Sequence, residues 1–153
     1  MRNQLERNGE ESASDLLISA AKSVRRAFGE AIASYDVTPG QARALRVVSG
    51  YGPIRLSALA DRLRIAARSA TEVVDALESR GLVQREADPA DRRATCVVLT
   101  EEGRRLRGAI DEARRTSTEK RLAMLTDDDR AELTRILRLI VDQDRNSEST
   151  RPR

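Results

Sequence analysis

The chain contains no histidine and no tryptophan, and only one cysteine, one phenylalanine and two tyrosines in 153 residues. With a single thiol and no imidazole, one chain cannot assemble a Cys/His zinc site or an internal disulfide. The commonest general base in catalysis is missing too, and no glycine-rich phosphate loop is present. The carboxylates are interleaved with arginines on helix faces, the pattern of a solvated surface rather than of a catalytic pair. These absences point away from an enzyme and call for no cofactor or metal. No apolar run approaches the ~18 residues that span a bilayer, and the N-terminus lacks a signal-peptide core. A cytoplasmic location without a membrane partner is expected. Three aromatics leave too little for a β-sandwich core.

What the chain has instead is Ala, Leu and Arg: 39% of residues are hydrophobic, 35% are charged, and the net charge is +3. That profile suits helices packed through small aliphatic side chains, and the length suits one domain. The mildly basic balance permits a nucleic-acid partner without requiring one, so the local arginine clusters matter more.

The most informative stretch is Ser57 to Thr100. Ala70, Val73, Val74 and Leu77 fall at i, i+3, i+4 and i+7, one apolar stripe of a helix that Gly81 terminates. Leu82-Val83 and Val97-Val98-Leu99 are β-prone runs flanking a polar, Pro-containing connection, which reads as a hairpin. Its turn carries Asp88, Pro89, Asp91, Arg92 and Arg93. A helix fits the major groove of a duplex, and a β-ribbon can set arginines on phosphates or in the minor groove.

Asp88-Pro-Ala-Asp-Arg-Arg93 followed by Val97-Val-Leu-Thr-Glu-Glu-Gly103 closely resembles the wing signature of the MarR family of winged-helix transcriptional regulators. The resemblance implies a mainly α (α+β) fold, a winged helix-turn-helix with N- and C-terminal dimerisation helices. The implied division is a tail over 1–13, a single domain over 14–144 and a tail over 145–153. Within the domain, 14–36 and 101–144 would be dimerisation helices and 38–100 the DNA-binding lobe.

The rest of the chain fits that plan. Leu16, Leu17, Ala20, Ala21, Val24, Ala27, Phe28, Ala31 and Ile32 make a wide stripe on a long helix between Ser14 and Tyr35. Thr38-Pro-Gly-Gln41 is a capping box with proline at the first helical position, opening a helix that Gly50-Tyr-Gly-Pro53 ends. There Gln41 and Arg43 are either contacts to a DNA backbone or a cap and a solvated charge. Ile54-Arg55-Leu56 reads as a short third strand, and Ser57–Leu63 as the first helix of a helix-turn-helix. Arg64 stands where such turns often carry glycine, and Ala66 where a capping Ser or Asp is common in the family. Thr100-Glu-Glu opens another helix with acids in its first turn, and Thr126-Asp-Asp-Asp129 a last one.

A 100° step from the buried stripe turns Arg68 and Glu72 outward, with Ser69 and Thr71 on the flanks. Because only the N-terminal part of such a helix reaches base edges, Arg68, Ser69, Thr71 and Glu72 are the candidates there. Arg68 suits guanine O6/N7 and Glu72 suits cytosine N4; alternatively they are an exposed i,i+4 pair. In the wing, the family pattern matches Asp91 and Arg93, with Asp91 expected to orient the Arg93 guanidinium for a narrow minor groove. Arg85 and Arg92, which lack an evident orienter, are assigned to phosphates.

The function these expectations define is a homodimeric regulator, read as a repressor, that binds a pseudo-palindromic double-stranded operator. The family resemblance adds release by a small anionic or phenolic effector, bound between the dimerisation helices and the DNA-binding lobe, with Tyr35 and Tyr51 as possible linings. Two alternatives stand beside it. One is a redox-switched regulator acting through Cys96, and the other a winged-helix protein-interaction module that does not touch DNA.

Overall fold

The computed structural model describes residues 12–91 and 93–149, with side chains as far as 143. The described chain comprises α1 (Ala13–Ile32), α2 (Pro39–Tyr51), β1 (Ile54–Arg55), α3 (Leu56–Leu63), α4 (Ala67–Ser79), β2 (Val83–Ala87), β3 (Thr95–Leu99), α5 (Glu101–Leu122) and α6 (Asp127–Ser149). It divides into two compact units, one ending at Ser117 and one beginning at Thr118.

The first unit is built around α2, α3 and α4 packed on a three-stranded antiparallel sheet of order β1-β3-β2. Ile54 and Arg85 both pair with Val97, and Val83 pairs with Leu99, so Ile54, Val83, Val97 and Leu99 share one face. Leu45, Val48, Leu59, Val74, Leu77, Val83 and Val97 are buried there, with Ile32 of α1 and Ile110 of α5 closing the core. The expected stripe on α4 is therefore the core face, as its spacing requires.

Local chemistry sets the element ends. The Thr38 hydroxyl accepts from the Gln41 N–H (3.2 Å), while the Gln41 side chain accepts from the Thr38 N–H (2.9 Å), the reciprocal box that the sequence specifies. Gln41 is thereby a cap. Arg43 donates to the Leu63 and Arg62 carbonyls (2.9 and 3.1 Å), neutralising the open end of α3. The turn after α3 passes through Arg64 at φ 54°, the left-handed region where glycine is usual, and Ile65 N–H closes it on the Ala60 carbonyl (3.1 Å). The missing cap at Ala66 is also real: α4 begins with no side chain on its first N–H groups. At its other end Gly81, at φ 67°, lets Leu82 N–H reach the Leu77 carbonyl (3.0 Å) and Gly81 N–H the Glu78 carbonyl (2.8 Å). That is a Schellman ending, and it aims the chain into β2.

One contact explains the second half of the wing signature. The Thr100 hydroxyl donates to the Gly81 carbonyl (2.6 Å) and accepts from Gly103 N–H (3.0 Å), so it caps α5 and ties it to the end of α4. Gly103 lies against the backbone of Leu82, where any Cβ would overlap the carbonyl oxygen.

In the second unit, Asp129 and Thr126 cap each other at the start of α6, and the Thr126 hydroxyl holds the Asp129 carboxyl below its usual range. Arg130 bridges Glu119 (2.9 Å) and the Leu122 carbonyl (2.8 Å). Two apolar faces remain open: Leu16, Leu17, Ile18 and Val24 on α1, and Ile136, Leu137, Leu139, Ile140 and Val141 on α6.

Three boundaries differ from the sequence reading. The first helix starts at Ala13 on a Ser12 cap and stops at Ile32, with Ala33–Tyr35 in a tighter 3₁₀ turn that ends on Asp36 at φ 54°. Leu56 opens α3 rather than extending β1, because Arg55 is the last extended residue and Leu56 already turns into the helix. The last helix continues to Ser149, through part of the stretch expected as a tail; 1–11 and 150–153 lie outside the described residues. Among the described residues no helix is long and apolar enough to cross a membrane.

Candidate nucleic-acid interface

The first two turns of α4 present Arg68, Ser69 and Glu72 to solvent. Arg68 Nε lies 3.2 Å from Glu72 Oε1, but the two side chains are 91% and 66% exposed, so solvent screens the pair and either partner can leave it. Such a pair is worth a few tenths of a kcal/mol in a helix, far less than a bidentate contact to a base. Thr71 is half-buried, and its hydroxyl donates to the Ala67 carbonyl (3.0 Å), keeping its lone pairs as acceptors.

Arg85 is placed differently from the expectation. Its guanidinium donates to Asp75 (2.6 Å) and to Glu78, and its backbone N–H donates to Glu78 (3.0 Å). The Asp75 hydrogen bond, helped by Glu78, raises the arginine's pKa further. Two acidic side chains one turn apart on α4 therefore orient it, where the sequence shows no orienter. The arginine thus bridges the end of α4 to the first wing strand.

The wing tip also differs in one respect. Asp91 Oδ1 accepts from the backbone N–H of Arg93 (3.0 Å), while Oδ2 lies 3.8 Å from Arg55 Nη2. A short aspartate reaches the N–H two residues on at little conformational cost. Asp91 thus fixes the backbone of the turn instead of the Arg93 guanidinium, and the Arg93 side chain projects exposed from that fixed backbone. Arg92 lies outside the described residues.

Sequence reasoning did not assign Arg55 and Asp88 to the site, although the structure makes them its frame. Asp88 is a buried carboxylate at the wing base, accepting from Ala90 N–H (2.8 Å) and from Arg55 Nε (2.5 Å). The Ala90 N–H, then Arg55, hold the Asp88 carboxyl below the usual carboxylate range. Its stabilisation of the wing is therefore complete above about pH 4 and is lost as pH falls through the lowered value. The only available signal was the register, since Arg55 pairs with Cys96, and a two-residue strand does not announce its register.

Cys96 is buried, and burial followed by the neighbouring Asp88 charge pushes its thiol pKa up. The thiolate is the reactive form. In the folded protein at pH 7.5 an aromatic disulfide reagent is expected to label Cys96 at least about a hundredfold more slowly than in denaturant. Equal rates would show that the thiol is accessible and reactive.

Tyr51 carries the Arg62 guanidinium 3.5 Å above its ring, and Tyr35 packs against the core. One cavity of about 450 Å³ opens between the end of α2 and the outer face of the sheet, lined in part by Ser49, Gln84, Glu86, Thr100 and Arg104.

Comparison with known proteins places this arrangement. The MarR family model matches residues 37–95, the stretch from the α2 cap to the start of β3. A putative transcriptional regulatory protein for the hcr operon of Thauera aromatica is 32% identical over 78% of this chain and 72% of its own length. The HTH-type transcriptional repressor NicR of Pseudomonas putida is 31% identical, over 63% of this chain and 61% of its own. Among solved structures, RV1404 from Mycobacterium tuberculosis superposes with a TM-score of 0.77 at 29% identity, covering 89% of this chain and 96% of that one. The chain belongs to the MarR family: it is a winged helix-turn-helix transcriptional regulator, and its relatives are regulators rather than enzymes.

Proposed function

We propose that the protein is a homodimeric repressor that binds a pseudo-palindromic double-stranded operator. The observation that carries the reading is an α4 whose exposed start is free to enter a major groove, clamped by Arg85 to a hairpin that projects Arg93. Arg68, Ser69, Thr71 and Glu72 read base edges, and Arg93 enters the flanking minor groove. Arg92 contacts phosphate; Arg85 and Asp91 serve by holding the helix and the turn.

Dimerisation is supported by the open apolar faces of α1 and of α6, with Leu139 58% exposed. Apolar area left on a monomer is most simply covered by a second copy about a two-fold axis. Repression is supported by relatives named as repressors. Release by a small anionic or phenolic effector rests on the family resemblance.

The test is stoichiometric. Duplexes selected from a random pool should contain two half-sites whose centres lie about 34 Å apart, and sedimentation should give two chains per duplex. One chain per duplex, or a single unpaired half-site, refutes the dimeric reading. The alternative of a redox switch is disfavoured by the buried, protonated Cys96 thiol. A protein-docking module would select no duplex at all.

A further inference from the structure

The signature of the wing accounts for Asp88, Asp91 and Arg93, but the cation that organises the two aspartates comes from elsewhere in the chain. Arg55 sits at the end of β1, some thirty residues earlier, and reaches the wing only because β1 pairs with β3. Its Nε is 2.5 Å from Asp88 Oδ2, and its Nη2 is 3.8 Å from Asp91 Oδ2. One guanidinium thus faces both carboxylates of the turn, and a planar fork is the side chain suited to that task.

Each aspartate in turn fixes backbone. Asp88 takes Ala90 N–H on its side chain, its own N–H donates to the Ala94 carbonyl (2.9 Å), and its carbonyl accepts from Asp91 N–H (3.2 Å). Asp91 takes Arg93 N–H on its side chain, and its carbonyl accepts from Ala94 N–H (2.8 Å). Without a cation between them, two carboxylates in one small turn repel each other, and the turn loses the geometry that both maintain. Arg55 makes none of these backbone bonds itself; its effect passes through the two acids to the Cα of Arg93.

We propose that Arg55 is the positioning residue of the wing, setting the direction in which Arg93 leaves the turn and so the strength of minor-groove discrimination. This rests on the DNA-binding reading above for its functional half; its structural half, that Arg55 orders the backbone at Ala90, Asp91, Arg93 and Ala94, stands without it. Arg55 needs no contact with the duplex to act, and its influence on sequence preference should vanish when Arg93 is removed.

The experiment is a double-mutant cycle on the selected operator with Arg55→Ala, Arg93→Ala and both, alongside amide exchange and Cys96 labelling of the free protein. Arg55→Ala should weaken operator binding by about tenfold or more and flatten the preference for A·T-rich flanks. In the Arg93→Ala background it should change affinity less than about twofold, since coupled residues are non-additive. Exchange at Ala90, Arg93 and Ala94 should accelerate, and Cys96, the register partner of Arg55, should label faster. Arg55→Lys keeps the charge without the fork and should restore exchange protection only in part.

Equal losses in both backgrounds would overturn the proposal, because they would show Arg55 acting independently of Arg93. Unchanged exchange in both Arg55 variants would overturn it as well. If the wild-type protein binds no duplex, the functional half falls with the DNA reading, while the exchange and labelling results still decide the structural half.

Discussion

Gly103→Ala should lower the melting temperature by roughly 10 °C. A Cβ at position 103 would overlap the Leu82 carbonyl oxygen and come within 2.9 Å of its carbonyl carbon. The obstacle is backbone, held by Thr100 N–H at 3.2 Å on that same carbonyl, so no side chain can rotate out of the way. Relief requires α5 to move off the end of α4, which breaks the Thr100 bonds to Gly81 and Gly103 as well. Overpacking of a rigid contact costs about 3 kcal/mol, and at this chain length that converts to about 10 °C. Thermal unfolding followed by circular dichroism, at fixed protein concentration because a dimer's melting point depends on it, measures the effect. A shift under about 2 °C would mean that α5 does not seat on Leu82 as described. Alanine's better helix propensity, worth up to about 1 kcal/mol in α5, works in the opposite direction and is too small to reverse the sign.

The second large effect is on recognition. Arg93→Ala should reduce operator affinity about a thousandfold at physiological salt while leaving dimer mass and melting temperature unchanged. The residue is exposed, and its backbone is fixed by Asp91, so removal beyond Cβ disturbs nothing that the fold requires. A well-placed guanidinium in a groove is worth about 2 kcal/mol, and the proposed two-fold complex would lose two of them, together about a factor of 10³. The loss should be greatest on A·T-rich flanks, where the narrow minor groove concentrates negative potential. A loss confined to about threefold and indifferent to flanking sequence would instead make Arg93 a phosphate contact, and the minor-groove reading of the wing would fail.

Much of this architecture is legible in the sequence because local rules and the global fold agree. The Thr38 box, the Gly81 stop and the period of α4 are short-range signals, and each appears where its residues require. The missing cap at Ala66 and the left-handed Arg64 were legible as departures, and both are present as departures.

What could not be read is where the long side chains go. Arg85 was assigned to phosphate because nothing near it in sequence orients it, yet Asp75 and Glu78 lie across the strand–helix junction. The family pattern pairs Asp91 with the Arg93 guanidinium, whereas the carboxylate is spent on a backbone N–H and on Arg55. Arg43, which the sequence leaves open between DNA and solvent, is bonded to the end of α3. In each case the partner lies across a strand pair, an adjacent turn or a packed helix end. In a chain with 28 Lys and Arg against 25 Asp and Glu, composition cannot choose among so many partners. Arg55 shows the same limit most clearly, since its partners are brought to it only by the register of a two-residue strand.

The claim on which everything else depends is that α4 and the wing grip a duplex through its phosphates and grooves. It is tested most directly by measuring affinity for the selected operator across sodium chloride from 50 to 300 mM. The account predicts a straight line of log K against log salt with a slope of about −5 or steeper, as half a dozen or more phosphates release their counterions. A duplex affinity that is absent at 50 mM, or flat across the series, would contradict it.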